Sequence, residues 1–112
     1  MQTFLRPAMY NAYHKIVPLS QNDKKINYTI AGPICESSDI FSKNIKLSKQ
    51  KLGDYLAICD VGAYGSVMAS NYNSKCLPGE IMICDAKYNI IREQENISSI
   101  IKKDMIPNWI KN

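Results

Sequence analysis

The stretch Ile26-Asn27-Tyr28-Thr29-Ile30-Ala31-Gly32-Pro33-Ile34-Cys35-Glu36-Ser37-Ser38-Asp39 decides how this chain reads. Ile26, Tyr28 and Ile30 alternate with Asn27, Thr29 and Ala31, the period of a strand with one buried face. Gly32-Pro33 breaks that period and delivers a thiol, a carboxylate, two hydroxyls and a second carboxylate within five consecutive residues. A carboxylate beside a thiol disfavours the thiolate. Such a thiol is a usable proton donor near neutrality and a poorer nucleophile than one flanked by His or Lys. The plain alternative is a small half-buried Cys at a strand end followed by a polar turn. In that turn Ser37, Ser38 and Asp39 bond nearby backbone donors and shape the loop.

Before this stretch, Arg6-Pro7-Ala8-Met9-Tyr10-Asn11-Ala12-Tyr13 suits one or two helical turns, with Pro7 tolerated only in the first. Helical spacing puts Arg6 and Tyr10 on one face. His14 to Leu19 reads as a strand with β-branched Ile16 and Val17, stopped by Pro18, and His14 is expected to be structural, packed where the turn meets that strand. After the stretch, residues 40–53 read as an irregular, lysine-bearing connection. Asp54 to Val61 is a nearly continuous apolar run, expected as a strand covered on both faces.

Gly62-Ala63-Tyr64-Gly65 is flexible enough for close backbone approach to a ligand. Ser66 to Ser70 suits a short helix, Asn71-Tyr72-Asn73-Ser74 is polar, and Pro78-Gly79 is expected to turn. Glu80–Cys84 and Tyr88–Arg92 predict a hairpin around Asp85-Ala86-Lys87. Ile97, Ile100, Ile101 and Met105 predict an amphipathic helix, with Trp109 packing beyond it. The expected fold is one mainly β domain with short helices.

Length and composition bound the function. The 112 residues are 46% hydrophobic and 21% charged, ordinary for one globular domain and too few for a two-lobed enzyme. The net charge of +4 comes from lysines dispersed along the chain rather than an arginine stripe with aromatic interleaving, so nucleic-acid binding is not expected. No apolar run approaches the ~20 residues of a membrane span, and a signal peptide is not expected. Cys35, Cys59, Cys76 and Cys84 lack C-x-x-C spacing, and His14 is the one histidine, so a zinc site is not expected. Reduced cysteines in a cytoplasmic protein fit better than a disulfide framework, and Cys59, Cys76 and Cys84 are assigned no role.

Three segments taken in order, Arg6-Pro7-Ala8-Met9-Tyr10-Asn11-Ala12-Tyr13-His14, the Cys35 pentad, and Gly62-Ala63-Tyr64-Gly65 with Ser70-Asn71-Tyr72-Asn73, resemble the C-terminal part of the diaminopimelate decarboxylase family. The resemblance covers essentially the whole chain, including Pro78-Gly79-Glu80 and Trp109. It implies a pyridoxal 5'-phosphate enzyme converting meso-2,6-diaminopimelate to L-lysine and carbon dioxide. The implied fold is a C-terminal β-barrel or β-sandwich domain of the alanine racemase-like group. Residues 1–112 would form that domain, with 1–13 the tail end of the interdomain segment.

The family's N-terminal α/β barrel, which holds most of the cofactor and the lysine that carries it, has no counterpart among these residues. Met1 then reads as an internal methionine of a longer protein, and the chain as a fragment inactive by itself. By the same resemblance Cys35 is the proton donor. Arg6 and Tyr10 bind the distal carboxylate of the substrate, Glu36 its distal ammonium, and Tyr64 contacts cofactor and substrate. A zwitterionic far end needs both a cation and an acid, which Arg6 and Glu36 provide. The family further implies a cytoplasmic homodimer whose active site is shared across subunits, with the barrel required. Two alternatives stay open: a non-catalytic module that complements a barrel partner, and the C-terminal domain of an ornithine or arginine decarboxylase.

Overall fold

The computed structural model describes residues 1–110, which gather into two compact units divided between Ala69 and Ser70. The first unit opens with helix α1, Arg6–Tyr10, with Pro7 in its first turn. Asn11 ends it in the left-handed conformation, φ 52°, a common helix stop. Strand β1, Ile16–Pro18, pairs antiparallel with β4, Leu56–Ile58. Strand β2, Lys25–Ala31, pairs antiparallel with β3, Ile40–Ser48. Along β2 every second side chain is partly covered and the others are exposed, as the alternation of Ile26, Tyr28 and Ile30 requires.

The 40–53 segment is where expectation and structure part. Residues 40–48 are a strand, not an irregular connection. The register explains why the sequence hides it. Tyr28 faces Ile45, Ile30 faces Ser42 and Ala31 faces Ile40, so β3 twice carries one more residue than β2. Each extra residue is a bulge that flips the inward face. Asn44 sits at one of them with φ 54°. The inward positions are therefore Leu47, Ile45 and Ser42, and no single period runs through them.

β4 is shorter and less covered than the apolar run suggests: only Leu56–Ile58 pair, all half-buried, and Tyr55 and Val61 beside them are exposed. The buried apolar side chains of this unit are Phe4, Ile16, Ile34 and Leu47, with His14 and Asp39 buried among them as polar members. A 3-10 turn at Ser66–Met68 ends the unit where a short helix is predicted.

The second unit begins with a 3-10 turn at Tyr72–Ser74 and passes Pro78-Gly79 without forming a turn there. Strands β5, Glu80–Cys84, and β6, Lys87–Arg92, form the expected hairpin, but one residue tighter. Its loop is Asp85-Ala86 alone, with φ 47° and 64°, so Lys87 pairs with Cys84 instead of turning. Positive φ at both central residues matches the right-handed strand twist, the reason two-residue loops take this form. Helix α2, Ile97–Ile101, is capped by Asn96, whose Oδ1 accepts the Ser99 N–H at 3.0 Å. It stops at Lys102, short of the expected Met105, and Trp109 is 87% exposed rather than packed.

Candidate functional site

The Cys35 loop is built from its base. Gly32 N–H donates to the Asp39 carbonyl at 2.9 Å, and the Asp39 carboxylate accepts the Ile34 N–H at 2.7 Å. Asp39 is 2% exposed, and the Met1 amino group is its ion partner. A Cβ on Gly32 would overlap the Asp39 carboxylate, so only glycine permits this closure. Ile34 anchors the loop in the interior, while Cys35 and Glu36 are both exposed. Ser38 Oγ donates to Glu36 Oε2 at 3.2 Å and orients that carboxylate. Of the expected bonds from Ser37, Ser38 and Asp39 to nearby backbone donors, Asp39 makes one, to the Ile34 N–H, while Ser38 bonds the Glu36 side chain instead, and the thiol and carboxylate face outward.

A second cluster gathers around Arg6. Its guanidinium lies 6.0 Å from the Tyr10 ring centroid, as helical spacing predicts, and 5.6 Å from that of Tyr64. Both are within the range of a cation–π contact. A ring against the guanidinium face leaves the in-plane N–H fork available to a carboxylate. The Arg6–Tyr64 contact joins residues distant in sequence and could not be read from spacing.

Tyr64 is carried on an unusual backbone. Its φ is 59°, left-handed, which is costly for a bulky aromatic residue. Gly65 is what allows it: a Cβ there would strike the Val61 carbonyl oxygen. The result is a phenol projecting outward, 61% exposed, from a tight turn. The flanking glycines were the signal of this geometry in the sequence. An exposed phenol in such a turn can donate to a phosphate oxygen without adding charge. A pyridoxal cofactor therefore fits this edge as one of its contacts.

A groove of about 490 Å³ lies elsewhere, between α1 and β3, lined by Pro7, Asn11, Tyr13, Ser37, Ser38 and Phe41 among others. Arg6, Tyr10, Cys35, Glu36 and Tyr64 are not among its lining residues. The candidate groups are thus displayed on a surface, outside this groove.

Residues 1–62, more than half of the chain, match the family described as pyridoxal-dependent decarboxylase, C-terminal sheet domain. The chain belongs to that family. Its sheet-domain character agrees with the three two-stranded antiparallel sheets and short helices described above. The crystal structure of diaminopimelate decarboxylase from Methanocaldococcus jannaschii superposes on this decarboxylase sheet domain with a TM-score of 0.94 at 43% identity, covering 98% of this chain and 25% of that one. The Helicobacter pylori diaminopimelate decarboxylase complexed with L-lysine superposes with a TM-score of 0.86 at 40% identity, covering 92% and 26%. Diaminopimelate decarboxylase of Archaeoglobus fulgidus is 39% identical over 108 residues, 95% of this chain and 26% of that protein. The sheet domain described here spans about a quarter of the length of the relatives it matches.

Proposed function

We propose that this chain supplies the C-terminal sheet domain of a diaminopimelate decarboxylase, the lyase that releases carbon dioxide from meso-2,6-diaminopimelate to give L-lysine. The observation that carries this reading is the Arg6 cluster with Tyr10 and Tyr64, together with the outward-facing Cys35-Glu36 pair. Arg6 binds the distal carboxylate of the substrate through its two-pronged fork, with the Tyr10 hydroxyl beside it. Glu36 takes the distal ammonium. Cys35 returns a proton to the α-carbon through its thiol. The Tyr64 phenol contacts cofactor and substrate at the edge of the site.

Pyridoxal phosphate, held mainly by the barrel of the whole enzyme, supplies the electron sink for the bond broken at the α-carbon. Residues 1–112 act as the β-domain, 1–13 being the tail of the segment that leads into it. The enzyme is a cytoplasmic homodimer in which Cys35 and Glu36 serve the partner's barrel, while Arg6, Tyr10 and Tyr64 serve their own. The chain therefore turns nothing over alone. The solved relative in complex with L-lysine supports the product assignment.

Co-expression with the N-terminal three quarters of the Methanocaldococcus jannaschii relative, followed by measurement of carbon dioxide released from meso-diaminopimelate, tests the proposal. Turnover is expected only from the pair, and Glu36→Ala is expected to raise KM for diaminopimelate. Turnover by the chain alone, or a pair that prefers ornithine, overturns the assignment. Full activity of Glu36→Ala overturns the role given to Glu36.

A further inference from the structure

His14 joins the two halves of the Arg6 cluster. Its Nδ1 lies 3.1 Å from the Cys59 carbonyl oxygen. A carbonyl only accepts, so Nδ1 carries the hydrogen in this contact. Beside it the Cys59 N–H donates to the Lys15 carbonyl at 2.8 Å, continuing the register in which Ile16 faces Ile58. The His14 ring thus supplies by side chain the next bond of the β1–β4 ladder.

That bond stands where the chain leaves the sheet. Asp60, the following residue, turns left-handed at φ 58°, and the Asp60–Gly65 turn closes with Tyr64 also left-handed and Gly65 against the Val61 carbonyl. On the other side, His14 follows α1, which carries Arg6 and Tyr10, after a three-residue link that begins with the left-handed stop at Asn11. His14 is 8% exposed, and its ring stacks edge-on against Phe4, centroids 4.5 Å apart at 80°. Its Nε2 is buried without a hydrogen-bond partner among the described residues. The ring therefore makes one polar bond, to the strand that leads into the Tyr64 turn.

We propose that His14 is a positioning residue: its bond to Cys59 fixes the exit of β4 and so holds Tyr64 against Arg6. The tie closes a loop from Arg6 through His14 and Cys59 to Tyr64 and back across the ring contact. The proposal rests on the reading of Arg6 and Tyr64 as substrate-side groups only for its catalytic consequence; the tie itself is a statement about this chain.

The test compares His14→Leu, which removes both ring nitrogens, with His14→Asn, which keeps an N–H donor near the Nδ1 position. The primary readout is the NMR resonance of the Arg6 Nε–H group in the full chain, shifted by the ring currents of Tyr10 and Tyr64. A Tyr64→Leu variant measures the share due to Tyr64. His14→Leu is expected to lose that share while the amide resonances of β2 and β3 keep their dispersion, and His14→Asn to restore most of it. Retention of the Arg6 shift in His14→Leu overturns the proposal, as does failure of His14→Asn to restore it. If His14→Leu does not fold, His14→Phe, which keeps the ring against Phe4 and removes both nitrogens, takes its place with the same expected loss and the same overturning result. In the complex with the barrel, His14→Leu is expected to raise KM for diaminopimelate about tenfold while kcat changes less than about threefold, the pattern of lost substrate binding. A complex without turnover but with the Arg6 signature intact overturns the catalytic reading and leaves the tie standing.

Discussion

Gly65 and Gly32 show how single residues set what the candidate site presents. At Gly65 a methyl group would meet the Val61 carbonyl, and the turn that holds Tyr64 left-handed would have to open. Gly65→Ala is expected to lower the stability of the first unit by about 1–3 kcal/mol, the scale of a strained backbone position. Urea unfolding followed by circular dichroism measures that loss, and an unchanged midpoint would contradict it. At the base of the Cys35 loop, Asp39→Ala leaves the Ile34 N–H without its acceptor. The expected cost is about 1–3 kcal/mol, that of an orphaned buried donor. The same variant should free Cys35 to react faster with a thiol reagent in native buffer, since the loop then has no buried carboxylate closing it; an unchanged rate would show that the loop holds without Asp39. At this scale the sequence was informative. Short-range geometry placed Arg6 beside Tyr10 and gave Asp39 its bond to the Ile34 backbone, because those contacts span only a few residues, whereas Ser38 turns to the Glu36 side chain. The Arg6–Tyr64 contact and the His14–Cys59 bond were illegible, because each depends on a strand pairing that brings distant segments together.

Elements were legible where one period ran through them and opaque where it changed. β2 keeps a strict alternation and its boundaries follow from it. β3 carries two bulges, each moving the inward face by one residue, so its isoleucines and lysines look patternless until paired with β2. The hairpin strands were visible, but the turn residues were not, since Asp85-Ala86 is a poor sequence signal for a loop that favours Asn-Gly. That mismatch gives a prediction. Ala86 holds φ 64° at a cost that glycine does not carry. Ala86→Gly is expected to stabilise the hairpin by about 1 kcal/mol, in line with the penalty of left-handed backbone for a residue with a Cβ. Slower hydrogen exchange of the Glu80–Arg92 amides would register it, and faster exchange would refute it.

Glu95 ties the second unit together by a different means. Its carboxylate accepts the Leu77 N–H at 3.1 Å, the Asn71 amide and the Lys103 ammonium at 3.3 Å. The Leu77 bond first, then the Asn71 bond and Lys103, hold its pKa below the ordinary 4.5. A depressed carboxylate stabilises the fold above its unfolded value and ceases to do so as pH falls through its folded one. Acidification below about pH 4.5 should therefore loosen the 71–77 loop, and Glu95→Gln should flatten that response. Chemical shifts of Asn71 and Leu77 across an acid titration measure both.

For the whole molecule the governing fact is how little of it is covered. The buried apolar residues of the first unit are Phe4, Ile16, Ile34 and Leu47, and none of residues 70–110 is buried. In the second unit Ile81 faces Ile90 and Ile83 faces Tyr88 across one side of the hairpin, and all four are more than half exposed. A lone two-stranded hairpin is marginal in water and needs another layer over its apolar face. Large contiguous apolar surface of this kind marks a surface made to be covered. The relatives it matches are about four times as long, and under the function proposed above the remainder of such an enzyme is the expected cover. By itself the chain is expected to exchange the Ile81–Ile91 amides rapidly and to bind a hydrophobic dye. With the N-terminal three quarters of the Methanocaldococcus jannaschii relative, the same amides are expected to slow by at least about a hundredfold, which corresponds to about 2.7 kcal/mol of added protection. Exchange rates that are equal in the chain and in the complex would mean that the apolar hairpin is not a face for the rest of the enzyme. Slow exchange already present in the chain alone would mean that the second unit is stable without it.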